Sequence, residues 1–229
     1  SKYLILVFGN YPYCVIHLGM SGTLHFIGLK KKATNLSFYG SQSLPKKHNH
    51  IIFRFKNFKL IYNDPRRFGF FKILENKKDY LKFFTRIGPE AISKDFNKKY
   101  LSQILKNRTK NIKNLLLDQK LVSGIGNIYV NEILFQAKIN PFKKSYLINL
   151  DENKRIVKYS KIILKKAIHF GGSSIRDFKG ITGKSGNFQS EFKVYDRAKK
   201  RCSRNNCSGQ INRKIISNRS TFLCSVCQK

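Results

Sequence analysis

Acidic side chains are scarce in this chain. Twelve Asp and Glu stand against 46 Lys and Arg in 229 residues, giving a formal charge of +34 and a pI near 10.2. Such a field concentrates polyanions and makes binding steeply salt-dependent, so nucleic acid is the leading partner. Lys, Asn and Ile are abundant throughout, as AT-rich coding would produce; that bias inflates the charge but does not explain why acids are so few. No apolar run approaches the roughly 20 residues needed to span a bilayer, which argues against a membrane protein. No secretory or transit segment is visible, so a cytoplasmic protein is expected. Methionine occurs once, at Met20, and the chain opens Ser1-Lys2-Tyr3-Leu4, with residues 3–8 already reading as a buried strand. The expectation is that the sequence starts inside a domain.

Cysteine is also sparse, and four of the five fall in the last thirty residues as Cys202-x4-Cys207 and Cys224-x2-Cys227. Paired thiolates at this spacing bind one ion from two tight turns, completing the S4 set that zinc favours. Disulfides are the alternative, but nothing in the sequence points to an oxidising compartment. One structural Zn2+ is therefore expected. Cys14, in the apolar run Cys14-Val15-Ile16, reads as a small buried hydrophobe.

With 41% hydrophobic residues the chain can bury real cores. Residues 1–80 show short β-branched and aromatic runs between turn signals, at 3–8, 15–18, 22–27, 51–55, 60–63 and 68–74, with a long polar loop over 28–50. From about residue 93 the pattern turns helical. Ser93 is placed to cap a helix, Tyr100–Lys106 has apolar residues at helical spacing, and 111–120, 128–137 and 151–170 read as further helices. Residues 179–188 form a Gly-rich loop before the cysteine module.

Several motifs have more than one reading. Gly124-Ile125-Gly126-Asn127 lies between two helices, where glycines and a helix N-terminus could hold a phosphate, although an ordinary helix break is the simpler account. Asp64-Pro65-Arg66-Arg67-Phe68-Gly69 could contact phosphates and wedge between bases, or be a turn with solvated arginines and a core Phe. His48-Asn49-His50 lacks a third metal ligand, so a phosphate or structural role suits it better. Arg219, between the cysteine pairs, would be aimed at a phosphate by a rigid hairpin, or be a solvated surface residue.

Taken in order, these segments resemble the bacterial formamidopyrimidine-DNA glycosylases. The carrying residues are Lys2-Tyr3-Leu4, His17–Gly22, Lys47–His50, Asp64–Gly69, Gly88-Pro89-Glu90, Leu115–Glu132, Gly171–Ser174, Val194-Tyr195 and the finger from Arg219 to Gln228. The endonuclease VIII branch shares the finger, but Met20 and Arg66-Arg67-Phe68 favour the purine-repair branch. The resemblance implies an α+β protein: an N-terminally incomplete β-sandwich over 1–85, a helix–two-turn–helix domain over 86–195 and a zinc-finger β-hairpin over 196–229. It implies excision of oxidised purines from duplex DNA by a monomer, followed by nicking of the abasic strand. Met20, Arg66 and Phe68 would fill the gap left by the flipped nucleotide. His48, Arg66, Arg108 and Asn127 would hold the backbone or opposite strand. Arg219 would grip phosphates flanking the lesion, and the loop 179–188 would close over the extruded base.

The family's attacking group is an N-terminal proline amine with a neighbouring glutamate as acid, and a lysine and the finger arginine assist the later eliminations. Lys2 and Arg219 match those two. The Pro-Glu pair does not occur ahead of them, so an N-terminally incomplete copy is expected, with a catalytically silent zinc-containing DNA-binding protein or gene relic as the alternative. Smaller departures are the four-residue spacer in the first cysteine pair, Leu223 in place of an aromatic, and Asp196 where glycine usually follows Val-Tyr. Asp196 is expected to alter the approach to the finger.

Overall fold

The computed structural model describes residues 2–10, 12–28, 45–173 and 186–229, and the backbone of 34–36. They divide into two compact units: Lys2–Phe84 with Phe170–Gln189, and Thr85–His169 with Ser190–Lys229. The first is mainly strand, with one helix, and the second mainly helix, with a terminal hairpin, an α+β arrangement.

The first unit is a sandwich of two antiparallel sheets. Strands β1 (Leu4–Val7), β2 (Tyr13–His17) and β7 (Phe70–Leu74) form one, in the order β1-β2-β7. Strands β3 (Thr23–Gly28), β4 (Thr34–Leu36), β5 (Asn49–Arg54) and β6 (Phe58–Asn63) form the other, in the order β4-β3-β6-β5. Leu24, Leu60 and Tyr62 from the larger sheet pack with Leu6, Leu18, Ile51, Phe53 and Phe71. Burying side chains of this size contributes about 1.5–3 kcal/mol each. Cys14 lies in this layer at 2% exposure, the buried hydrophobe its neighbours predict. The β2–β3 and β6–β7 turns both cross from one sheet to the other.

Two features of this unit depart from the sequence pattern. Residues 28–50 contain strand β4 and a 3-10 turn, Lys46–His48, within what reads as an unbroken loop. Helix α1 (Lys77–Phe84), unmarked in the pattern, is capped by Asn76 Oδ1 accepting from Asp79 N, packs Tyr80 against Tyr13, and meets Tyr3 edge-on with Phe83 and Phe84.

In the second unit, helices α2 (Lys98–Leu105), α3 (Ile112–Leu117), α4 (Asn127–Gln136) and α5 (Leu150–His169) bury Leu101, Leu105, Ile112, Leu115, Leu116, Ile133 and Ile156. Ser93 does not cap a helix. The cap is Asn97, in extended backbone, whose Oδ1 accepts from Tyr100 N at 3.0 Å, while the preceding residues turn so that Phe96 is buried. Helix α3 stops at Leu117 rather than reaching 120, because Asp118 leaves the helical region and its carboxylate accepts from Lys120 N. Strands β8 (Ile211–Ile216) and β9 (Arg219–Cys224) form the terminal hairpin. Its Phe222 and Cys224 pack on Phe135 of α4 with Val194, Cys202 and Ile211, and Phe222 N donates to Asn131 Oδ1 at 2.8 Å. The loop expected at 179–188 lies outside the described residues up to 185; Phe188 N then donates to Gly172 O. Among the described residues no helix is long and apolar enough to cross a membrane.

Candidate nucleic-acid interface and metal site

In the sandwich unit the turns that carry four of the expected site residues are tied together at Asp64. Asp64 is fully buried at the end of β6. Its Oδ1 accepts from Ser21 Oγ at 2.5 Å and Arg66 N at 3.2 Å, and its Oδ2 accepts from Tyr62 OH at 2.8 Å and Gly69 N at 2.9 Å. Burial alone would raise this carboxyl's pKa; the four donors outweigh it and hold the group below its ordinary range. Asp64 N donates to His48 O at 3.0 Å, so the 3-10 turn carrying His48 is tied to the same point.

Around this anchor the apolar side chains face outward. Met20 is 58% exposed and Phe68 57%, on tight turns where a folded core would normally bury such groups. The Arg66 guanidinium lies 4.7 Å from the Phe68 ring centroid. Gly19 has φ +64°, and a Cβ there would stand 2.6 Å from the Phe68 carbonyl carbon, so the two turns touch through backbone that only glycine permits. Gly19 N donates to His17 Nδ1 at 3.1 Å; burial and the nearby Lys2 charge lower the pKa of this imidazole. Lys2 is exposed at the start of the unit.

In the helical unit, Asn127 opens α4, whose N-terminus follows Gly126 and has no side-chain cap. Helix amides left open in this way favour an anion. Asn127 Nδ2 donates to Ser220 O at 3.2 Å, and Lys113 Nζ donates to the same carbonyl at 2.9 Å and to Thr221 Oγ1 at 2.8 Å. Two helices thus grip the residue beside Arg219. Arg219 is exposed and starts β9 after a two-residue turn, Ser217-Asn218, in which both residues have positive φ. That geometry suits the twist of a hairpin. Lys113 is fully buried, and burial followed by the Arg219 charge pulls its pKa down to about 8. Arg108 lies apart from this grip, exposed between α2 and α3, with its carbonyl accepting from Tyr146 N.

The cysteine quartet closes into a cage. All four Sγ atoms lie within 4.8 Å of one another, with Cys202–Cys227 at 3.9 Å and Cys207–Cys224 at 3.7 Å. These separations far exceed the ~2.05 Å of a disulfide, and the cysteines are free. They match the ~3.8 Å edge of a tetrahedron with 2.3 Å metal–sulfur bonds. The four residues could hold a metal ion. Gly209 is part of the cage, since a Cβ there would lie 2.6 Å from Cys224 Sγ. Behind it, Cys224 N donates to Gln228 Oε1 and Gln228 Nε2 to Ile139 O, fixing the second knuckle to the end of α4.

Comparison with known proteins agrees with this geometry. The formamidopyrimidine-DNA glycosylase N-terminal domain model matches residues 1–71 and the H2TH domain model residues 87–179. The formamidopyrimidine-DNA glycosylase of Roseobacter denitrificans is 40% identical over 231 aligned positions, covering 100% of this chain and 80% of the relative. The chain belongs to the formamidopyrimidine-DNA glycosylase family. The enzyme of that name from Azorhizobium caulinodans is 35% identical, with 100% and 81% covered. Among solved structures, a Lactococcus lactis Fpg mutant bound to DNA containing Fapy-dG superposes with a TM-score of 0.84 at 34% identity, covering 100% of this chain and 79% of that one. A MutM complex with DNA containing carbocyclic 8-oxo-G gives 0.81 at 34%, covering 100% and 78%.

Four residues that matter to this glycosylase fold are absent from the sequence-based site: Asp64, Lys113, Ser220 and Glu132. Glu132, buried on α4, accepts from the backbone N of Lys193, Val194 and Tyr195, holding the segment that leads to the finger. Only the two ionisable residues on α3 and α4 leave a trace in the sequence. Lys113 interrupts Ile112…Leu115-Leu116 on a buried face, and Glu132 sits within Val130–Phe135.

Proposed function

We propose that this protein is a DNA glycosylase and AP lyase of base-excision repair, acting in the cytoplasm as a monomer on oxidised purines such as 8-oxoguanine and formamidopyrimidines. The observation that carries the reading is that the turns bearing Met20, Arg66, Phe68 and His48 are all tied to Asp64, through Ser21, Arg66 N, Gly69 N and His48 O. It offers exposed apolar and cationic groups on one rigid base, as insertion into a base stack requires. Residues 1–85, 86–195 and 196–229 serve as its three domains.

In this reading Met20, Arg66 and Phe68 occupy the space vacated by the flipped nucleotide. His48, Arg66, Arg108 and Asn127 bind the backbone or opposite strand, with the open amides of α4 beside Asn127. Cys202, Cys207, Cys224 and Cys227 hold one Zn2+, which supplies rigidity to the hairpin and no chemistry to the reaction. Arg219 then meets phosphates flanking the lesion, and Lys2 and Arg219 assist the eliminations that cut the abasic strand. The damaged base leaves when a proline amine attacks C1′; ring opening gives the Schiff base, and a glutamate supplies the proton. The first proline of these 229 residues is Pro12, in the β1–β2 connection, so the amine is not one of them.

Borohydride trapping on an 8-oxoguanine duplex tests the proposal, using the chain as it stands and with a Pro-Glu segment ahead of Ser1. A covalent adduct with the extended chain is expected. Salt-sensitive DNA binding without any adduct from the extended chain would leave a silent DNA-binding zinc protein in its place.

A further inference from the structure

Met20 and the pair Arg66 and Phe68 sit on turns that belong to different strand connections, β2–β3 and β6–β7. Strand pairing brings the ends of the two turns together, His17 beside Phe70 and Thr23 beside Asn63, but reaches no residue within either turn. What joins them is the group around Asp64. Ser21, next to Met20, donates from Oγ to Asp64 Oδ1 and accepts at the same oxygen from Arg66 N at 3.2 Å. Gly69 N, next to Phe68, donates to Asp64 Oδ2 at 2.9 Å. Gly22 N closes the Met20 turn on Leu18 O at 2.9 Å. One carboxylate, fully buried, therefore takes a hydrogen bond from each turn at its base. Charge-assisted bonds of this kind are about twice as strong as neutral ones.

We propose that Asp64 is a positioning residue that fixes Met20, Arg66 and Phe68 as one preassembled wedge before DNA arrives. The inference rests on the gap-filling role given above to these three side chains. Ordering two separate turns at the moment of insertion would subtract from the free energy of filling the gap; turns already joined through a buried carboxylate avoid that loss. Arg66 is held twice, through its backbone N and by stacking on Phe68, so the cation and both apolar groups share one frame. Asp64 touches no DNA in this scheme and acts through the turns.

The test uses a duplex with a tetrahydrofuran abasic analogue opposite 2-aminopurine, whose fluorescence rises when the wedge unstacks it, and needs no catalytic turnover. Wild-type protein gives a full rise. Asp64→Asn, which replaces an acceptor oxygen with an NH2 facing N–H and O–H donors, gives a rise about three- to tenfold smaller at saturating protein. Ser21→Ala cuts the link between the Met20 turn and Arg66 and gives an intermediate rise. Tyr62→Phe removes one donor to Asp64 but leaves those from Ser21, Arg66 and Gly69, so its rise falls less than that of Asp64→Asn. A full rise with Asp64→Asn overturns this inference alone, as does a full rise with Ser21→Ala. Ser21→Ala against wild type decides the matter if Asp64→Asn does not fold. No rise with bound wild-type protein overturns the gap-filling reading and this inference together.

Discussion

Lys113 Nζ lies 2.9 Å from the carbonyl oxygen of Ser220, so an ammonium buried in helix α3 is fastened to the residue beside Arg219. Asn127 of α4 reaches the same oxygen at 3.2 Å. The finger arginine is thus aimed by two helices as well as by its own hairpin.

Lys113→Met should lower unfolding stability by about 1–3 kcal/mol, since Thr221 Oγ1 loses its donor and keeps only the long bond to Arg219 O, and the Ser220 carbonyl keeps only Asn127. The pH dependence is a sharper check. Burial and the Arg219 charge pull the Lys113 ammonium down to about 8 in the folded chain, against an ordinary 10.5. Between those values the unfolded chain binds the extra proton, so stability rises with pH across that window and levels off above it. Urea midpoints at pH 7 to 11 should show this component in wild type and lack it in Lys113→Met.

Arg219→Ala should weaken binding to abasic-site duplex and reduce the slope of log K against log salt by about one, as expected for one phosphate contact. Circular dichroism should be unchanged, since the side chain is exposed. An unaltered slope would return Arg219 to an ordinary surface residue.

Elemental analysis should find one zinc per chain, lost on Cys224→Ser. Gly209→Ala should lower zinc affinity although it removes no ligand, because its methyl would stand 2.6 Å from Cys224 Sγ. Full zinc retention by Gly209→Ala would mean that the knuckle relaxes around the methyl.

Asp196 has φ +56°, a left-handed conformation that costs an L residue and that glycine adopts freely. Asp196→Gly should raise the urea midpoint, and Asp196→Val should lower stability by about 1–2 kcal/mol. A lower midpoint for Asp196→Gly would show that the aspartate side chain makes a compensating interaction.

Most strands and helices were legible because their signals are local. An apolar run over 60–63 or helical spacing over 128–137 needs no distant residue to interpret it. The misplacements occurred where local signals competed. Ser93 and Asn97 are both capping types, and the choice fell to Asn97 because burying Phe96 forces the chain to turn first. Helix α1 is polar on average and is held by aromatic contacts to Tyr3 and Tyr13, which lie far away in sequence.

The sequence by itself determined the polyanion preference, the metal-binding set and the family, because charge balance, cysteine spacing and ordered motifs are properties of the chain. It also flagged Met20, Arg66, Phe68 and Arg219. Only the tertiary structure decided what holds them. Asp64 reads as a turn residue until folding brings Ser21 to it from 43 positions away, and Lys113 reads as one lysine among many until Ser220 arrives from 107 positions away. A buried charge takes its meaning from partners that long-range packing supplies, and no local pattern in the chain encodes them.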